Sequence, residues 1–283
     1  MSFTWQSPDL PDLPPIPASG HARAALRAVL VTLLLGLGTV LTLLLRCFEL
    51  VLFAPRRPWS ALLVQLVWRA TLRLIGLSRR VEGAPALQPS GEWHALVANH
   101  ASWLDILVLG ASQPVVFVSK ADVARWPVIG ALARMVGTVF ITRNPRDAAA
   151  QQKQLATALS EGHVLAFFPE GTSTDGLRVL PFKSTLMSAF FLADAPREAV
   201  IQPVSVVYSA PKRQGEPRFY GWWGDMALAP HLWRVLAQAP QGVVTIRRHD
   251  PLHVRDFPER KALSRALENA VRDGMPPDRR ACA

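Results

Sequence analysis

Hydrophobic positions divide the chain into three regimes. From Ala28 to Leu45, 18 consecutive residues carry no charge and are mostly Leu and Val. As a helix rising ~1.5 Å per residue they extend roughly 27 Å, close to the ~30 Å of bilayer hydrocarbon. Leu50 to Phe53 prolong the run beyond Arg46 and Glu49. A cleaved signal peptide fits poorly. Asp9, Asp12 and five prolines precede Ala18, and the run ends in Arg46-Cys47-Phe48-Glu49 where small residues would stand. The expectation is a membrane helix, spanning or entering one leaflet, with a buried soluble helix as the competing reading, behind a flexible, proline-rich tail over residues 1–22.

The second regime follows the break Pro55-Arg56-Arg57-Pro58. Leu62, Leu63, Leu66, Val67, Ala70, Leu74 and Leu77 recur at three- and four-residue spacing, predicting a helix over Trp59 to Leu77. Arg69, Arg73 and Arg80 give it a basic side whose long stems can snorkel towards headgroups, so an interfacial amphipathic helix is expected, with a core helix of the following domain as the competing reading. Residues 23–80 thus read as a membrane-anchoring segment and 81–283 as one further domain. In that third regime, short apolar runs predict strands at His94–Ala98, Val115–Ser119, Thr138–Thr142, Val164–Phe168, Val200–Val207 and Val243–Arg247. Amphipathic stretches near 103–112, 127–136, 146–161, 184–194 and 259–273 predict helices. Alternation of this kind implies an α/β fold, a sheet covered by helices.

Composition narrows the function. Half of the 283 residues are hydrophobic and 18% are charged, which excludes a disordered chain and a disulfide- or metal-stapled miniature. Thirty-one Lys and Arg against 21 Asp and Glu give +10, suited to a polyanion, and the mean hydropathy of +0.18 favours a membrane surface. Cys47 and Cys282 form no metal spacing or disulfide framework, pointing to a reducing compartment. Arg23 and Arg27 precede the apolar run, while Arg46, Arg56, Arg57, Arg69, Arg73, Arg79 and Arg80 follow it. The excess places the remainder of the chain in the cytoplasm.

Candidate chemistry sits at strand ends. Asn99-His100-Ala101-Ser102-Trp103-Leu104-Asp105 follows the strand His94–Ala98, and Ser102 with Asp105 has the spacing of a capping box. His100 then lies in a strand-to-helix turn that can fold its imidazole against the Asp105 carboxylate. Such a carboxylate fixes the tautomer and makes the other ring nitrogen a base for a hydroxyl proton. A plain capping box beside an incidental histidine is the competing reading. Phe168-Pro169-Glu170-Gly171-Thr172-Ser173 ends another strand and turns a carboxylate, hydroxyls and amides towards one place, or is an ordinary glycine turn. Arg143, after Gly137-Thr138-Val139-Phe140-Ile141-Thr142, is placed to hold phosphate or carboxylate, or to pair with Asp147. Lys120 and Lys183 are further cations near strand ends. Neither a G-x-S-x-G elbow, an H-E-x-x-H helix, paired cysteines nor a P-loop occurs, and Gly36-Leu37-Gly38 lacks the third glycine of a dinucleotide fingerprint.

Taken together, Asn99-His100 with Asp105, Phe140-Ile141-Thr142-Arg143, Phe168-Pro169-Glu170-Gly171-Thr172 and Gln202-Pro203-Val204-Ser205-Val206 resemble the glycerolipid acyltransferase family in order and spacing. The resemblance implies His100 as general base, Asp105 as its orienter, and acceptor binding by Arg143 and the Glu170-Gly171-Thr172 turn, with Lys120 and Lys183 as further substrate-binding cations. It implies an acyl donor on coenzyme A or acyl carrier protein, no metal and no other cofactor. The partners would be the lipid bilayer and a lysolipid acceptor at a bacterial inner membrane, not nucleic acid. The leading expectation is acylation of lysophosphatidic acid to phosphatidic acid. One departure favours an alternative in the same family: members acting on lysophosphatidate typically carry Arg after Glu-Gly-Thr, where this chain has Ser173-Thr174-Asp175-Gly176. With Trp222-Trp223-Gly224-Asp225-Met226 and Pro230-His231-Leu232-Trp233, this stretch is similar to the bacterial branch that acylates lyso-ornithine lipid. A membrane module that binds anionic lipid, and a thioester hydrolase, are the remaining readings.

Overall fold

A computed structural model describes residues 5–7, 9–53, 58–88, 92–142, 145–192, 195–196 and 198–280. Its centre is a parallel group of strands with continuous apolar sequence, as expected where both faces are covered. These are β2 (His94–Ala98), β3 (Val116–Lys120), β4 (Val139–Ile141), β5 (Val164–Phe167) and β6 (Val200–Ser209). β7 (Val243–Arg248) pairs antiparallel with β6, and β1 (Ser78–Gly83) pairs parallel with β7. The order is β1-β7-β6-β2-β5-β3-β4, with β8 (Leu252–His253) also against β6. The sheet is therefore mixed.

Helices cover both faces. α2 (Pro58–Ile75), α3 (Leu104–Ser112) and α6 (Leu228–Ala237) bury Trp68, Leu72, Leu104, Leu109 and Val235 with Val244 and Ile246 of the sheet. On the other face α5 (Ala148–Ser160) and α7 (Arg260–Asp273) bury Leu155, Leu159, Leu263 and Leu267. α4 (Ile129–Met135) lies between β3 and β4 in sequence. Three elements depart from the sequence pattern. β1 carries Arg79, Arg80 and Glu82, charges suited to an edge strand that hide its period. α6 contains Pro230, which its first turn tolerates because the amides there have no intrahelical partner. Within the stretch expected as a helix near 184–194, whose last two residues lie outside the described residues, a short 3₁₀ turn, Leu186–Phe191, stands in place of an α-helix. Its buried Met187 and Phe190 stand three apart, the spacing that tighter winding superposes.

α1 (Ala18–Leu52) is a single helix of 35 residues, long and apolar enough to cross a membrane. It begins inside the stretch expected as tail and passes through Arg46 and Glu49. Glu49 is buried because its Oε1 accepts the N–H groups of Trp59 (2.6 Å) and Ser60 (2.9 Å), closing the first turn of α2. α1 and α2 thus form a hairpin. One face of α1 (Gly20, Ala24, Gly38, Thr42, Glu49) is buried, while Leu33, Leu37, Leu44, Phe48 and Val51 are exposed.

The pattern of α2 is inverted relative to a soluble surface helix. Ser60, Gln65 and Thr71 lie on its buried face with Trp68, while Trp59, Leu62 and Leu66 face outward. Its buried face packs on α1 and α3, so the helix is a structural wall of the fold. Gly110 permits that packing, since a Cβ there would stand 1.5 Å from the Trp68 ring. At the base of the hairpin, Arg23 donates to the carbonyl of Ala237 (2.6 Å). Arg27 donates to those of Leu236 (2.8 Å) and Gln238 (2.7 Å), satisfying the C-terminal end of α6.

Candidate active site

Parallel strands β2, β3, β4 and β5 point their C-terminal ends to one edge of the sheet. Topology alone therefore gathers His100, Lys120, Thr142 and Glu170, which are more than 20 residues apart in pairs such as His100–Thr142. Arg143, the next residue after Thr142, lies outside the described residues. Thr142 itself donates to Asp147 (2.6 Å), the carboxylate considered as a partner for Arg143.

The turn after β2 is held by Asn99, whose side chain extends strand pairing by one step. Its Nδ2 donates to the Val206 carbonyl (2.9 Å) and its Oδ1 accepts the Val206 N–H (2.8 Å). Beyond it, His100 Nδ1 stands 2.7 Å from Asp105 Oδ2. The same oxygen accepts the N–H groups of Ala101 (2.8 Å) and Ser102 (2.9 Å), while Oδ1 accepts the Tyr208 hydroxyl (2.6 Å). The Asp105 carboxylate is fully buried. Three surrounding donors make the Nδ1–H tautomer the one that fits, leaving Nε2 as the acceptor nitrogen. Burial, then the charge of Asp105, raises the Tyr208 pKa well above its ordinary value, so the phenol remains a donor.

The capping box forms only in part. Asp105 reaches back to the Ser102 amide, but Ser102 Oγ is buried without a hydrogen-bond partner among the described residues, and α3 starts at Leu104. Drawing Asp105 towards the imidazole tightens the turn ahead of the helix, so the serine no longer occupies the capping position.

Glu170 is equally buried. Its Oε1 accepts the His100 N–H (2.8 Å) and its Oε2 the Leu180 N–H (3.1 Å), joining the two turns. Burial raises its pKa well above the carboxylate range, partly offset by the two amides and reinforced by Asp105. Gly171 adopts φ +72°, a left-handed conformation natural to glycine, and a Cβ there would come within 3.0 Å of Lys183 Nζ. Lys183 is thus placed over the Glu170-Gly171 turn. Thr172 is buried and its Oγ1 accepts the Trp5 N–H (3.3 Å), bringing the N-terminal segment onto this side. Lys120 ends β3 at the same sheet edge.

Several supporting residues escape local sequence reasoning. Phe168 stacks on the imidazole with centroids 4.0 Å apart and planes 12° from parallel. Thr174 N–H and Trp222 N–H donate to the carbonyls of His100 (2.9 Å) and Ala101 (2.8 Å). Trp103 Nε1 donates to His231 Nδ1 (3.0 Å). Burial lowers the His231 pKa to about 4, which keeps that nitrogen an acceptor at neutral pH. Tyr208 had one available signal: it shares a face of β6 with Val204, which pairs with Ala98, and with Val206, which the Asn99 side chain meets. The segments Ser173–Gly176, Trp222–Met226 and Pro230–Trp233 are therefore neighbours of the His100 turn, as their partners show.

A cavity of about 590 Å³ opens at the other ends of β3 and β5, lined chiefly by Trp68, Val115, Val116, Val136 and Val164. Trp68 meets Phe117 edge-on (5.9 Å), Phe117 faces Phe168 (6.4 Å), and Phe168 covers His100. A column of rings thus runs from the cavity wall to the imidazole. Among the described residues no group of three or more His, Cys, Asp or Glu could hold a metal ion.

A buried carboxylate that orients one imidazole nitrogen and leaves the other available is a geometry that can carry proton transfer of the kind acyl transfer requires. The chain belongs to the Acyltransferase family, which it matches over residues 80–207, and it is an acyltransferase enzyme. It is 50% identical over 265 residues, 94% of each chain, to the lyso-ornithine lipid O-acyltransferase of Rhodobacter capsulatus. It is 35% identical to that of Brucella abortus, over 82% of this chain and 88% of the relative. The crystal structure of the 1-acyl-sn-glycerophosphate (LPA) acyltransferase PlsC from Thermotoga maritima shares the fold. Its TM-score is 0.60 at 19% identity, covering 90% of this chain and 96% of that one.

Proposed function

We propose that this chain is a membrane-bound O-acyltransferase that moves a fatty acyl group from acyl-CoA or acyl-ACP to the free hydroxyl of lyso-ornithine lipid. The observation that carries this reading is the 50% identity to the Rhodobacter capsulatus enzyme along 94% of both chains. Ser173, standing where the lysophosphatidate pattern has arginine, supports it. Lysophosphatidate, the leading expectation from sequence, thereby becomes the second reading.

In the mechanism, His100 Nε2 removes the hydroxyl proton as the oxygen attacks the thioester carbonyl. The imidazolium is stabilised by Asp105, whose geometry Tyr208 and the Ala101 and Ser102 amides hold. The tetrahedral oxyanion then collapses, the carbon–sulfur bond breaks, and the thiolate takes the proton back from His100. No acyl-enzyme forms, because the acceptor oxygen is itself the nucleophile. Glu170 positions His100 through its backbone, while Gly171, Thr172, Lys183 and Lys120 border the substrates; Arg143 is assigned to acceptor binding by the family resemblance alone. The apolar cavity suits an acyl chain by size and lining.

The hairpin places this chemistry at the membrane. Arg23 and Arg27 tie one end of α1 to α6, and Trp68, Leu72 and Ile75 tie α2 into the core. Both ends of the hairpin therefore belong to one side of the bilayer, with the outward leucines in lipid. That side is the cytoplasmic face of the inner membrane, where the soluble donor arrives. The test is purified protein with labelled acyl-ACP or acyl-CoA and both lysolipids offered together. Product on lyso-ornithine lipid is expected; product on lysophosphatidate alone would overturn the acceptor assignment, and fatty acid released without acceptor would indicate a hydrolase.

A further inference from the structure

Four arginines converge at the base of the hairpin, away from the catalytic turn. Arg69 and Arg73 are one turn apart on α2, Arg79 lies on β1 and Arg248 ends β7. Arg69 Nε donates to the Ala111 carbonyl (2.8 Å) and Arg248 Nη2 to that of Ser112 (3.3 Å), so both reach the C-terminal end of α3. The negative end of a helix accounts for two guanidiniums, each by one donor. It does not account for Arg79, whose Nη1 is buried without a hydrogen-bond partner among the described residues. Nor, among the described residues, does any carboxylate form an ion pair with any of the four. Burial, and then the charges of Arg69, Arg73 and Arg248, lower the Arg79 pKa, as expected where like charges gather without an anion.

The outward stripe of α2 says where the group lies. Trp59, Leu62, Leu66 and Arg73 fall within an arc of roughly 60° at ~100° per residue. Arg73 stands about 10 Å along the axis beyond Leu66 at ~1.5 Å per residue, a step from acyl chain to headgroup depth. We propose that Arg69, Arg73, Arg79 and Arg248 form a binding site for the phosphate of an anionic phospholipid headgroup, separate from the acceptor site. The multiple guanidinium donors suit phosphate oxygens, and the neighbouring apolar stripe receives the lipid's chains. The inference shares with the proposed function only the membrane placement of the hairpin, so either can fail alone.

The test uses the full chain in neutral detergent, with thermal unfolding followed against dihexanoyl phosphatidylglycerol, dihexanoyl phosphatidylcholine and inorganic phosphate. Phosphatidylglycerol is expected to stabilise the wild type most. Arg79→Gln and Arg248→Gln should each raise its half-saturating concentration about 10-fold or more, the range for a lost charge-assisted hydrogen bond. Arg80→Gln is the control: it neighbours Arg79 in sequence but points to the other face of β1, and should shift that concentration less than about 3-fold. Without lipid, Arg79→Gln should unfold no earlier than wild type, because removing it relieves repulsion. Equal losses in Arg79→Gln and Arg80→Gln would mean diffuse attraction and overturn the site. Stabilisation by inorganic phosphate equal to that by phosphatidylglycerol would overturn the lipid source.

Discussion

Replacing Asp105 by Asn separates the charge of the carboxylate from its geometry. The Asn amide oxygen can occupy the Oδ2 position and keep three donors: His100 Nδ1–H, Ala101 N–H and Ser102 N–H. The opposite orientation would set the NH₂ against all three, so the Nδ1–H tautomer is retained. The NH₂ then faces Tyr208, whose hydroxyl must rotate to accept and leaves its own hydrogen unpaired in a buried site. That should reduce stability by about 1–3 kcal/mol. The rate effect is larger. At ~4 Å between charge centres and an effective dielectric near 20, an imidazolium and a carboxylate attract by about 4 kcal/mol, or roughly 10³ in rate. We therefore expect kcat for acyl transfer to fall about 10³-fold, with KM for the thioester nearly unchanged. A steady-state assay in detergent, beside a thermal melt, reads both quantities. A loss of less than about 10-fold in a folded variant would refute development of positive charge on His100 against Asp105 in the transition state.

Three further outcomes follow from buried contacts. Glu170→Gln keeps only one of the amides of His100 and Leu180, losing about 1–3 kcal/mol of stability for the orphaned N–H, and kcat should fall with it. Because the wild-type Glu170 pKa is raised, wild-type stability falls as pH climbs from the ordinary carboxylate value through the raised one. The Gln variant's deficit in denaturant melts should therefore be largest in acid and shrink in alkali; a pH-independent deficit would contradict a buried carboxyl. His231→Gln keeps an acceptor for Trp103 and removes a histidine whose lowered pKa (about 4) costs wild-type stability as pH falls from 6.5 to 4. The variant should lose less stability over that interval, whereas an equal loss would mean His231 is not buried neutral. Gly110→Ala forces a methyl into the Trp68 ring and should destabilise by about 1–3 kcal/mol or more. An unchanged melting midpoint would show that the hairpin does not pack as described.

Which parts were legible follows from the range of each interaction. β2, β5 and β6 announce themselves because a doubly covered strand is apolar at successive positions, and His100 with Asp105 because only five residues separate them. Tyr208 and Glu170 hold the same turn from 103 and 70 residues away, through contacts that no local period encodes. Glu170 shows the consequence: its position beside a hydroxyl-rich turn suggests substrate contact, and no local pattern reveals that each of its oxygens also accepts a backbone amide. The anchor offers the same lesson for charge. Arg23 and Arg27 read as topology signals flanking an apolar run, yet both close the end of α6, a helix the sequence pattern conceals behind Pro230. Glu49 reads as an interruption of that run, yet it initiates α2. Five charges thus serve helix ends: Arg23 and Arg27 at α6, Glu49 at α2, Arg69 and Arg248 at α3. No helix terminus answers the buried Nη1 of Arg79 among the described residues, and for that reason it, rather than the total of +10, marks the proposed anion site.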